Sequence, residues 1–155
     1  MRTAKRVTAP DEVVLYTIGY QGRTLAGFVR ALQEAGIEKV VDVRLNPVSR
    51  DRRFNMMKLF QELNRAGISY ESVRELGNPQ EIRSLWQNGE LERGRKQYRK
   101  FVNNGASAHV DYVIGLARLG ATAILCRESE AHECHRSVIA EVAQARDQKV
   151  RVVDL

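Results

Sequence analysis

Apolar residues in this chain fall into short β-branched runs separated by longer stretches with helical spacing. Val13 to Ile18 is the first run, β-branched and aromatic and closed by Gly19, which predicts a buried strand. Thr24 then caps a predicted helix through Ala35, with Leu25, Phe28, Val29 and Leu32 on one face and Gly36 as its stop. Lys39 to Arg44 reads as a second strand, broken by Asn46-Pro47. Met56, Leu59, Phe60 and Leu63 give helical periodicity up to Ala66, and Ile68 to Val73 reads as a strand. Pro79 to Val102 is polar and helix-prone, with a break near Gly89 that predicts two helices. A helix over 107–119, a strand over 121–126, a helix over 134–147 and a strand over 149–154 complete the pattern. Strands alternate with helices throughout, which predicts a mainly parallel sheet of about five strands with helices on both faces. Residues 1–12 read as a flexible leader and 13–155 as one α/β domain; 79–104 is an insertion beside the sheet.

Composition adds limits. The length allows one well-filled core, and no run has the length of a membrane span. The basic start of the chain lacks the apolar centre of a secretory signal, so the expected location is cytoplasmic, without membrane attachment. Two cysteines make no disulfide framework, which fits a reducing compartment. The net charge of +6 favours polyanions, whether nucleic acid or phosphorylated metabolites, and also serves plain solubility.

The chemistry concentrates in one place. Both cysteines and two of the three histidines lie between Cys126 and Arg136. Cys126 ends a predicted strand, and Cys134, His135 and Arg136 open a helix. A thiol at a helix start or near arginine has a lowered pKa, which makes Cys134 or Cys126 a candidate nucleophile, with Glu128, His132 or His135 to move protons. Cys126, His132, Cys134 and His135 are also sufficient in kind for zinc. The adjacency of Cys134 and His135 argues against a shared ion, so no metal site is predicted. Buried structural roles for Cys126, His135 and Arg136 are a third reading.

Other segments point to anions. Gly19-Tyr20-Gln21-Gly22-Arg23 joins a strand to a helix, where glycines admit close approach and the helix start offers free N–H groups. Arg23 adds a fork suited to phosphate or carboxylate. A full dinucleotide fingerprint is missing, and no cofactor is predicted. Asp42 and Arg44 share one side of their strand, as site residues or as an internal salt bridge. Ser49, Arg50, Arg52 and Arg53 make a basic loop with Phe54 after it. A second cluster, Arg93, Arg95, Lys96, Arg99 and Lys100 with Tyr98 and Phe101, suits a nucleic-acid backbone or an ordinary amphipathic helix.

The segments from Thr17 to Arg23 with Phe28, from Val41 to Arg50, and from Leu125 to Glu128 with Cys134 to Arg136, together with Gly67 to Tyr70 and Glu75 to Gly77, resemble the family catalogued as domain of unknown function 488. The resemblance spans about 14–154. It implies a compact Rossmann-like fold and a shared polar site, and no established reaction. Asn78 stands where that family's pattern carries a second glycine; asparagine tolerates the left-handed conformation, which would keep the turn. The Asp42-Val43-Arg44 tripeptide is similar to one in rhodanese domains, whose compact cysteine loop this chain lacks.

The leading reading is recognition of an anionic ligand, a nucleotide or phosphate-bearing group, at the C-terminal edge of the sheet. Gly19, Tyr20, Gly22, Arg23, Asp42, Arg44, Ser49, Arg50 and Arg136 are its expected contacts, and Arg23, Arg44 and Arg136 are expected to converge in one cleft. The alternatives are a cysteine-dependent enzyme using Cys134 or Cys126 with Glu128 and His135, and a basic nucleic-acid binding module.

Overall fold

The computed structural model describes residues 11–155; most of the leader predicted over 1–12 lies outside them. Five strands, β1 (Val13–Gly19), β2 (Lys39–Asp42), β3 (Ser69–Ser72), β4 (Thr122–Cys126) and β5 (Val150–Asp154), form one sheet in the order β3-β2-β4-β1-β5. Every pairing is parallel. Both faces are covered, so β4 is buried at every position. Its Ala123 and Leu125 pack with Phe28 and Leu32 of α1 (Leu25–Glu34) and with Leu59 and Leu63 of α2 (Met56–Arg65). Ile124 and Cys126 belong to the opposite core, with Tyr98 of α4 (Leu91–Phe101), Val110, Val113 and Ile114 of α5 (Ser107–Leu119), and Val138, Ile139 and Val142 of α6 (His135–Arg146).

Local chemistry sets the boundaries. The Thr24 side chain accepts from the Gly27 N–H at 3.0 Å and starts α1 as expected. β2 stops at Asp42, two residues before the end expected from its pattern. There Asp42 Oδ1 accepts from the Arg44 N–H at 3.1 Å, a side-chain turn that diverts the chain from the ladder. The break near Gly89 separates α3 (Gln80–Gln87) from α4. α3 lies against α4 at Gly94, where a Cβ would stand 2.5 Å from the Trp86 ring. Asn78 needs no left-handed backbone: among the described residues only glycines have positive φ, so that expectation is corrected. Asn78 is instead a buried residue.

Parallel pairing brings the strand ends to one edge. Gly19 is in register with Cys126, and Asp42 with Leu125. The Tyr20 and Gln21 N–H groups bond the carbonyls of Cys126 and Arg127, and Val43 N–H bonds that of Leu125. Neighbouring β1 and β4 then send the chain to opposite faces, into α1 and α6. Such a switch point is where open α/β sheets leave a crevice. Here the crevice is filled, because a Cβ on Gly19 would overlap the Glu128 carbonyl and sit 3.1 Å from Arg136 Nη1. Gly19→Ala should therefore cost about 1–3 kcal/mol in overpacking. Urea unfolding measures it, and a midpoint equal to that of the unsubstituted protein would show that this contact is absent.

Candidate functional site

The exit of β2 is built around a buried ion pair. Asp42 is fully buried and Arg44 nearly so. Arg44 donates to Asp42 through Nε at 2.9 and 3.1 Å and through Nη2 at 2.7 Å, and its Nη1 reaches the Phe54 carbonyl at 2.9 Å. Burial opposes the guanidinium charge, but the bonds and field of Asp42 outweigh it and raise the Arg44 pKa. Tyr70 donates to Asp42 Oδ2 at 2.5 Å. Burial and the Asp42 charge push its phenol well above the ordinary range, so it stays a donor. The Arg44 guanidinium also lies over the Tyr20 ring, 5.3 Å from its centre, and Tyr20 stacks on Phe54 at 4.5 Å. Tyr20 Oη donates to Ser49 Oγ, and Ser49 N–H donates to Asn55 Oδ1. Asp42, Arg44, Tyr20 and Ser49 thus fasten the 45–55 loop to the sheet edge. Phe54 docks the loop, while Arg50, Arg52 and Arg53 are exposed.

The exit of β4 is organised by Arg136, the largest fully buried side chain. Its Nη1 donates to the Glu128 carbonyl at 2.5 Å and reaches Cys126 Sγ at 3.1 Å, its Nη2 donates to the Ser129 carbonyl, and its Nε donates to Thr17 Oγ1 at 3.3 Å. Thr17 in turn donates to Asp154. Burial pulls the Arg136 pKa below its ordinary value against the attraction of Asp154 and Glu128, and a guanidinium remains charged even so. The sulfurs of Cys126 and Cys134 are joined, so neither is a free thiol. This corrects the expectation of cysteines without a disulfide: the strand end and helix start that hold them are neighbours in space. His135 opens α6, with Cys134 as the N-cap residue. Its Nε2 lies 2.8 Å from the Val43 carbonyl, and burial holds its pKa below the ordinary histidine value. His132 is exposed beside Glu92.

The remaining cations divide. Arg23 is partly exposed and donates to the Gly19 carbonyl. Gly22 adopts a positive φ in the turn that leads to it. In the basic cluster, Arg95 is buried and bonds Glu141, Ser137 and the His132 carbonyl; Arg99 pairs with Glu141 and Arg93 with Glu90. Those arginines clamp α4 to α6 or stabilise their own helix, and Lys96 and Lys100 are exposed. Tyr98 donates to the Leu76 carbonyl.

An open cavity of about 590 Å³ lies one strand further along the edge, between the 45–55 loop and the exit of β3. Pro47, Val48, Met56 and Met57 line its apolar side, and Asn46, Asn55, Ser72 and Arg74 its polar side. Ser72 and Arg74 belong to no motif in the sequence, although they stand at the exit of a parallel strand on the same edge as the exits of β1, β2 and β4.

These features define an α/β protein with a parallel sheet and one elaborated C-terminal edge. The chain belongs to the family described as Domain of unknown function DUF488, whose family model matches residues 24–143. Comparison with curated proteins and with solved structures gives no match. Among the described residues, no helix is long and apolar enough to cross a membrane.

Removing one member of a buried pair strands the other. Asp42→Ala should cost about 3–5 kcal/mol, and Tyr70→Phe, which deletes one bond to a charged acceptor, about 1.5–3 kcal/mol. Denaturant unfolding tests both; a loss below about 1 kcal/mol for Asp42→Ala would mean that Arg44 finds water instead.

Proposed function

We propose that this protein binds an organic anion, a nucleotide or similar phosphate-bearing compound, in the cavity at the C-terminal edge of its sheet. The observation that carries the reading is the pairing of an apolar wall with polar groups that keep bonding capacity. Asn55 is the N-cap residue of α2, but its side chain makes no capping bond and instead accepts from Ser49. The first-turn N–H groups of Met57 and Lys58 therefore have no partner inside the helix. A helix start of this kind attracts anions through its N–H groups and its dipole.

Arg74 stands across the cavity. Its Nε bonds the Leu45 carbonyl and its Nη2 bonds Asn46 Oδ1, which orients the fork and leaves Nη1 for a ligand. Ser72 Oγ is buried without a hydrogen-bond partner. Val48 and Met57 are 76% and 63% exposed and supply an apolar wall for a base or other ring. The volume falls within the range of about 300–1,000 Å³ typical of small-molecule sites.

The residues expected from sequence take graded roles in this reading. Arg50, exposed on the same loop, raises the positive potential met by an approaching anion. Tyr20, Asp42, Arg44 and Ser49 hold the loop in place. Gly19, Gly22, Arg23 and Arg136 shape the neighbouring edge.

Calorimetric titration with nucleoside mono- and diphosphates tests the proposal. Arg74 is exposed, so Arg74→Ala should weaken binding about tenfold or more, the value of one charge-assisted contact, while the unfolding midpoint stays put. Failure of every compound to bind at millimolar concentration, or equal affinity in Arg74→Ala, would overturn it.

A further inference from the structure

We propose that the reduced form of the cysteine pair is a zinc-class metal site, with Cys126 Sγ, Cys134 Sγ and His135 Nδ1 as ligands and Glu128 at the fourth position. This site is separate from the anion cavity and does not depend on it. The three donor atoms lie within 4.8 Å of one another and all three residues are buried. Two thiolates and an imidazole nitrogen are the ligand types zinc prefers.

Adjacency in sequence does not keep the Cys134 and His135 donor atoms apart. Cys134 is extended, with φ −124° and ψ 147°, while His135 is the first residue of α6. The chain turns between them, and Cys134 Sγ comes to 3.6 Å from His135 Nδ1.

The tautomer of His135 follows from its other nitrogen. The Val43 carbonyl, 2.8 Å from Nε2, can only accept a hydrogen bond, so Nε2 carries the proton. Nδ1 then presents a lone pair toward the sulfurs. A backbone carbonyl that takes the second ring N–H is the usual support of a metal-bound imidazole.

The cysteine backbone spacing fits the same assignment. The two Cα atoms are 7.3 Å apart, beyond the span of about 4.4–6.8 Å usual for disulfides. With Zn–S bonds of about 2.3 Å, tetrahedral sulfurs stand about 3.8 Å apart, so a shared ion suits a wider Cα spacing. Arg136 Nη1, 3.1 Å from Cys126 Sγ, is placed to donate to a bound thiolate. Glu128 Oε2 is 3.7 Å from the same sulfur. Two thiolates and the Glu128 carboxylate would oppose the charge of a divalent ion and of Arg136.

The chemistry balances with a thiol reductant. Two reductant thiols are oxidised to their disulfide, the Cys126–Cys134 bond is cleaved, and the two protons pass to the sulfurs. Metal binding then releases those two protons.

The test uses the full chain, reduced with a thiol reductant, freed of it without oxygen, and titrated with Co²⁺. The expected result is one ion per chain, with sulfur-to-cobalt charge-transfer absorption and the visible bands of tetrahedral cobalt, displaced by Zn²⁺. Cys126→Ser and Cys134→Ser should each diminish the charge-transfer band. His135→Gln should weaken cobalt binding at least tenfold, and Arg74→Ala should leave it unchanged, which separates this proposal from the anion site. Because the buried variants can fail to fold, a second measurement uses the unsubstituted chain: zinc should protect both thiols from alkylation and from reoxidation. Absence of cobalt–thiolate absorption at equimolar metal, or thiols that alkylate and re-pair equally fast with zinc present, would overturn the proposal.

Discussion

The sheet edge depends on a guanidinium buried where a ligand would ordinarily sit. β1 and β4 are neighbours whose chains leave for opposite faces, the arrangement that opens a crevice in α/β sheets. Arg136 fills that position from inside the protein. Its fork meets two backbone carbonyls of the following loop and the hydroxyl of Thr17. A buried cation without those acceptors would be strongly unfavourable, so the course of residues 127–133 is fixed by the need to satisfy it. Gly19 permits the resulting close approach.

Arg44 repeats the device one strand away. It joins the fully buried Asp42 to the Phe54 carbonyl and lies over the Tyr20 ring. The loop after β2 is thereby fastened to the sheet edge, and its Val48 lines the cavity together with Met56 and Met57 at the start of α2. Two buried arginines thus set two loops, and the chemistry proposed for this edge uses what those loops present.

Much of the fold was legible because its signals are local. Thr24 as a cap, glycines at helix ends and short β-branched runs placed the elements within a residue or two, and alternation of strands with helices implied parallel pairing. Parallel pairing in turn implied that Gly19, Asp42 and Cys126 share an edge. What the sequence did not convey was who occupies whom. Arg44 and Arg136 look like ligand contacts because ligand contacts and internal ties use the same forked cation. Arg95 looked like a nucleic-acid contact for the same reason, yet it lies buried against Glu141 and Ser137. Adjacency of Cys134 and His135 suggested divergence, whereas the change from extended to helical backbone between them brings the side chains together. Arg74 and Ser72 carried no motif, and only the position of β3 at the sheet edge brings them to the cavity.

Arg136 ties the loop after β4 locally, in place of an external ligand. Native-state hydrogen exchange in an Arg136→Met variant tests it most directly. Met keeps an unbranched apolar stem and removes the donors. Exchange should quicken only in residues 127–134 and at the adjoining Gln21 amide, with β1 and β4 still protected. Unchanged exchange in 127–134, or loosening spread evenly over the sheet, would contradict it.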